Sequence, residues 1–293
     1  MKEFANLHPA VLLFYFLSVL VVAMFSGNPV LSAAAVGGGI LFCAMLIKRS
    51  EVPGELGFYI PLFFLVAVTN PLFSHNGVTP LFFLNGNPVT LEAFLYGAFM
   101  AVTVVGVMLW CKCYSEVMTS DKFLYLFGRV IPKLALVLSM TLRFVPLFRR
   151  QLRRVKSAQK TMGFYAGRGF VDRIRGAGRV FLSMVSWSLE NAMETAASMK
   201  ARGYGRAKRT SFSLFRFTAR DGVLLAVSAG LVALTVFGMA SGATAFVFYP
   251  RISALRLTPQ AMAAYLAFFV LSFCPFIMEV KEVAVWSCCR SKI

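Results

Sequence analysis

The sequence predicts an all-α integral membrane protein: about six transmembrane helices, with a long helical cytoplasmic segment inserted between the fourth and the fifth. Three observations lead there. Of 293 residues, 58% are hydrophobic and only 14% charged, too few polar groups to cover a water-soluble core. Six apolar runs are long enough, at about 17 to 20 residues, to cross a bilayer. The formal charge of +18 is concentrated in one stretch instead of being spread over a surface.

The apolar runs cover residues 10–25, 30–47, 57–73, 91–110, 222–240 and 261–280. Their interiors carry no Asp, Glu, Lys or Arg, as expected where a charge at the membrane centre costs about 2.5 kcal/mol or more. Glu92, Glu279 and Glu282 read as helix-end residues at the interface. The first run has an alternative reading as a cleaved signal peptide, since Lys2 precedes it and "SAAA" lies downstream. Its linker "SGNP" nevertheless runs straight into the second apolar helix, as in a tight membrane hairpin. Pro61, Pro71 and Pro275 are candidate helix breaks.

Cations set the orientation. Lys48 and Arg49 follow the second run, Lys112 follows the fourth, Arg220 precedes the fifth, and Lys281, Arg290 and Lys292 follow the sixth. By the positive-inside rule these ends are cytoplasmic, and so are both termini. The loops at the other side hold only Arg251 and Arg256. Cys43 and Cys274 fall in spans, and Cys111, Cys113, Cys288 and Cys289 on the cytoplasmic side, so reduced thiols are expected. With His8 and His75 the only histidines, no metal site is expected.

The sequence therefore divides into an N-terminal transmembrane region, 1–110, a basic segment, 111–221, and a C-terminal transmembrane region, 222–293. The middle segment holds 22 of the 30 Lys and Arg but six of the twelve Asp and Glu. Its first part has an apolar run from Leu134 to Phe148, interrupted by Arg143 and Pro146, then a basic helix from Arg149 to Lys160. Pro132 and Pro146 are expected to break or kink it. The glycine-rich "GFYAGRGFVDRIRGAG" reads as a flexible turn, and no G-x-x-x-x-G-K-[ST] phosphate loop occurs in the chain. In the helix that follows, Phe181, Val185, Leu189, Ala192, Met193, Ala196 and Met199 recur at three- and four-residue spacing as one apolar stripe. Small residues in its second half are expected to let another helix cross closely there.

That helix ends on "SMKARGYGRAKRT", where Gly203 is a natural left-handed C-cap and Arg202 sits in the last turn. Two readings of its cations stand side by side. They satisfy the negative end of the helix dipole and bind anionic lipid, or an Arg on a rigid helix tip plugs an acidic groove on a partner. No nucleic-acid module accompanies the charge, and no paired carboxylates or His/Cys/Asp constellation points to catalysis.

The pattern "ENAMETAASMKARGYG" resembles the transmembrane T component of energy-coupling factor (ECF) importers of vitamins and metals, which are ABC transporters. The likeness extends to His8-Pro9, where relatives often have Asp-Pro, to Asn28-Pro29, to "LSMTLRFVPLF" and to the "AQK" stretch. The resemblance implies a non-catalytic scaffold in the bacterial plasma membrane, without cofactor or metal. Its partners would be two ATP-binding cassette ATPase subunits and a membrane-embedded substrate-binding S component. Two crossed coupling helices, 134–160 and 180–202, would each present an Ala-Arg-Gly-type motif to one ATPase. By resemblance Ala201, Arg202 and Gly203 form the second motif. At the first, where relatives read "AQKARG", this chain has Lys160 followed by Thr161, Met162 and Gly163. Three explanations stand open: apolar docking at Met162, substitution by nearby Arg168, or two dissimilar ATPase subunits. A stand-alone secondary transporter and an ordinary ABC permease remain as alternatives.

Overall fold

The computed structural model describes residues 4–47, 50–74, 77–84, 87–163, 169–205, 215–255 and 257–290. Over these the protein is an all-α membrane protein with one small hairpin. In chain order, a 3-10 turn (Phe4–Asn6) precedes α1 (Pro9–Phe25), α2 (Pro29–Leu46), α3 (Val52–Phe73), β1 (Pro80–Leu84), β2 (Asn87–Thr90) and α4 (Leu91–Val117). Then come α5 (Ser120–Val130), α6 (Pro132–Thr161), α7 (Phe170–Ala201), α8 (Ala219–Ala240) and α9 (Pro259–Arg290). The chain forms two compact units, one of residues 1–123 with 215–293, the other of 124–214.

In the first unit, α2, α3, α4, α8 and α9 are long and apolar enough to cross a membrane. The sixth expected span, α1, is apolar but has 17 residues, about 25 Å of helix against a hydrocarbon core of about 30 Å. Its shortness follows from its ends. Pro9 starts it behind the cap His8, and Ser26 closes it just before Asn28 caps α2 and Pro29 starts it. Proline suits those first-turn positions because no intrahelical partner awaits its missing N–H.

His8 shows how a residue other than Asp serves at such a cap: its Nδ1 accepts from the Ala10 N–H at 3.2 Å. Its own N–H donates to Asp221 Oδ1 at 2.9 Å, which ties the start of α1 to the start of α8. Asn28 does a similar double duty. Its Oδ1 accepts from the Val30 N–H at 2.9 Å, and its Nδ2 donates to Thr244 O at 3.0 Å and to the Tyr265 hydroxyl at 2.8 Å.

Pro61, Pro71 and Pro275 do not break their helices; α3 and α9 run through them. Membrane helices tolerate proline when the carbonyl it deprives of a donor finds another partner. Pro275 deprives Leu271 O, and the buried Tyr15 hydroxyl donates to that oxygen. An unpaired carbonyl there would cost about 1 to 3 kcal/mol. Pro71 deprives Ala67 O, and at this carbonyl α4 comes close: a Cβ on Gly97 would lie 2.5 Å from it. Only glycine permits that approach, and close backbone contact of this kind holds helices together where lipid supplies no hydrophobic drive.

The core centres on a cluster of aromatic rings. Phe4 packs edge-on against Tyr15, Phe16 and Phe42 at 5.3, 5.9 and 5.5 Å between ring centres. Fully buried Trp110 donates its indole N–H to Ala35 O at 2.9 Å. Buried polar groups seat the N-terminal turn beside it. Glu279 accepts from the Phe4 N–H at 3.3 Å, and Lys122 Nζ donates to Ala5 O and, at 2.8 Å, to Val117 O. Glu279 and Glu92 are thus 5% and 4% exposed, and Glu92 stands in the first turn of α4. Glu92 accepts from the Thr79 hydroxyl at 2.7 Å and so braces the entry to α4 beside the β1–β2 hairpin.

Candidate coupling site

The second unit contains α6 and α7, of 30 and 32 residues. At about 1.5 Å per residue each is about 45 Å long. Both are amphipathic, with apolar residues on one flank and cations on another, unlike the uniformly apolar helices of the first unit. Proline marks the start of α6, since Pro132 begins it after Ile131, whereas Pro146 lies within it without ending it.

α7 begins at Phe170, so the glycine-rich stretch expected as a turn is helical from there onward. Glycine within a helix costs about 1 kcal/mol relative to alanine. Gly176 is buried, on the same face as Val180 and Met184, at four-residue steps. That face meets α6, where Phe148 packs edge-on against Trp187 at 5.2 Å and 77°. A groove of about 600 Å³ runs between the two helices, floored by Leu152, Val180 and Met184 and flanked by Arg149, Lys156 and Arg173.

The apolar stripe expected to pack is therefore not the packed one. Phe181, Leu189 and Met193 are 67%, 61% and 68% exposed, and Ala192, Ala196 and Ala197 are exposed too. The helices meet in the first half of α7, not along its Ala- and Ser-rich second half. Residues 180 and 184 are one step, about 100°, around the helix from 181 and 185. Gly176 lies on the buried flank and adds no side chain there.

The two helix ends are built alike. At α6, Thr161 is the last helical residue, Met162 is the cap, and its N–H bonds Ala158 O at 3.1 Å. Gly163 follows with φ +76° and donates to Lys160 O at 3.1 Å. At α7, Ala201 is last, Arg202 is the cap and bonds Ser198 O at 3.1 Å, and Gly203 has φ +80° and donates to Lys200 O at 3.0 Å. Tyr204 N–H then returns to Met199 O at 3.0 Å, completing a Schellman-type closure. A Cβ on either glycine would meet nothing within 4 Å, so the left-handed backbone and not crowding calls for glycine here. The side chains of Met162 and Arg202 are both exposed. Arg168 lies outside the described residues.

Among the described residues no group of His, Cys, Asp and Glu could hold a metal ion, and no disulfide is formed. α6 and α7 are thus two long helices packed together near Phe148 and Trp187, each ending in an exposed tip.

Comparison with known proteins matches residues 3–212 to the family described as CbiQ, cobalt transport protein. The chain is similar to the energy-coupling factor transporter transmembrane protein EcfT of Listeria innocua, with 30% identity over 216 residues, 64% of this chain and 78% of the relative. It is also similar to EcfT of Staphylococcus aureus, with 26% identity over 234 residues, 74% of this chain and 85% of the relative. Other matches are shorter: for EcfT of Thermotoga maritima, 31% identity covers 36% of this chain and 40% of the relative. The family match ends before α8 begins, so the last two membrane helices lie beyond it.

Proposed function

Because this chain belongs to the CbiQ family of cobalt transport proteins and to that of the energy-coupling factor transmembrane proteins, we propose that it is the scaffold and coupling subunit of an ECF-type ABC importer. In this reading, separate ATPase subunits bind at the tips of α6 and α7, and a separate S component captures a vitamin or metal ion within the bilayer. ATP-driven movement of the ATPases displaces the tips, and the stiff rods carry that displacement to the membrane helices and the S component. Residues 111–221 serve as the coupling segment, 1–110 and 222–293 as the membrane scaffold, and the cationic face of α6 rests on anionic lipid.

The observation that carries the reading is the pair of matched helix ends: two tips with one backbone shape suit two ATPase subunits of one fold. Arg202 presents a planar fork suited to a carboxylate or to backbone carbonyls on one of them. Met162 presents a flexible apolar side chain suited to a shallow apolar seat on the other. Catalysis of ATP hydrolysis belongs to the partner chains.

Purification of the tagged chain in mild detergent tests this. Two ATPase subunits and a small hydrophobic protein should accompany it; recovery of an active transporter with no ATPase would sink the proposal. Orientation is tested separately, since a reporter fused after Gly163 should register the cytoplasm and one fused after Asn85 the exterior.

A further inference from the structure

At one end of the membrane unit a groove of about 1160 Å³ opens between the start of α8 and the last turns of α9. Its chemistry is divided along its length. Leu224, Val227 and Met278 form apolar walls, while Arg216, Arg220 and Lys281 stand around the mouth. Arg220 and Val227 are two helical turns apart, about 10 Å, so the polar mouth and the apolar depth are separated by the distance from a headgroup to the upper part of an acyl chain. Trp286 lines the same mouth, half exposed, in the position such rings take at a membrane–water interface.

The acids nearby are not equivalent. Asp221 is 3% exposed and already engaged, accepting from the His8 N–H, the Thr218 N–H and the Thr218 hydroxyl at 2.9, 2.9 and 2.7 Å. Glu282, which also lines the groove, has one carboxylate oxygen shielded from solvent with no hydrogen-bond partner. Three cations and a carboxylate wanting a donor complement a phosphodiester that carries a hydroxyl-bearing headgroup.

We infer that this groove is a binding site for an anionic phospholipid of the phosphatidylglycerol class. Its phosphate lies among Arg216, Arg220 and Lys281, a headgroup hydroxyl donates to Glu282, and an acyl chain follows Leu224, Val227 and Met278 into the membrane. The site involves neither α6 nor α7, lies beyond the residues matched to the family, and stands independently of the coupling reading.

The test uses the full chain in phosphatidylcholine vesicles doped with chain-brominated lipids, which quench nearby tryptophan fluorescence. The signal of Trp286 is taken as the difference from Trp286→Phe. Brominated phosphatidylglycerol is expected to quench it half-maximally at a mole fraction about five-fold lower than brominated phosphatidylcholine. Combined Arg216→Gln and Lys281→Gln substitution should erase that preference, both side chains being exposed. Equal quenching by the two lipids overturns the inference, and this comparison decides even if the double variant fails to insert. It is overturned equally by an unchanged preference in the inserted variant, or by displacement of the lipid by soluble glycerol phosphate, which would mark a site for free phosphate.

Discussion

The end of α6 and the end of α7 have one backbone and two side chains. Both close with a cap N–H bonded four residues back and a glycine at positive φ, +76° at Gly163 and +80° at Gly203. The exposed residue between helix and glycine is Met162 in one and Arg202 in the other. Shape at such a tip is thus set by glycine and the helix, independently of what the tip presents. In the proposed role, a change of docking chemistry needs one substitution at the tip.

The largest effect that would break or confirm this comparison is expected from Arg202→Glu. If the Arg is desolvated against a partner acid, its loss should cost about 2 to 5 kcal/mol, about 30-fold or more in affinity. ATPase subunits recovered with the tagged variant should fall accordingly, whereas Met162→Gln should leave recovery within a few-fold of wild type. Equal losses at the two positions would show that the tips do not differ in kind.

An intermediate effect is expected from Gly163→Ala and Gly203→Ala. Each forces a Cβ into the left-handed region at a cost of about 1 kcal/mol, and the two costs should match because the backbones do. Hydrogen exchange at the amides of Gly163 and of Gly203 and Tyr204 reads this directly; faster exchange at only one end would mean that the two closures are not alike. The smallest effect belongs to Met162→Arg, which gives the two tips the same exposed residue. Because the backbone is already suited to Arg, this variant should fold as wild type does, and the apolar seat proposed opposite Met162 should lower ATPase recovery by no more than a few-fold; a gain in recovery would place a polar seat there.

The sequence made much of the fold legible because a membrane imposes strict rules. Uninterrupted apolar runs located α1 to α4, α8 and α9. Their ends were less legible: α4 continues to Val117 and α9 to Arg290, since a charge ends an apolar run without ending the hydrogen-bonded helix. The β1–β2 hairpin escaped notice within a loop rich in Pro, Asn and Gly, although its "NGN" is a turn signal. Proline was over-read as a breaker because sequence spacing does not reveal that Tyr15 reaches Leu271 O.

At the candidate site, Gly203 announced its own backbone, whereas the tip at Met162 and Gly163 was indicated by the resemblance alone. The packed face of α7 was not legible. Apolar residues occur on adjoining flanks of that helix, and spacing alone does not distinguish the buried one, which includes Gly176, a residue with no hydrophobic signal. The buried roles of Glu279 and Lys122 were hidden for a related reason: their partners are backbone groups of the N-terminal turn, distant in sequence.

Photo-crosslinking at the helix tips measures the central claim most directly. A photoreactive residue is placed at position 202 and, separately, at position 162 of the tagged chain in native membranes, and the adducts are identified. The expected result is a crosslink from each position to a nucleotide-binding ATPase subunit, with position 143 on the flank of α6 giving none. Adducts to lipid alone from both tips, in membranes where the transporter is active, would contradict it.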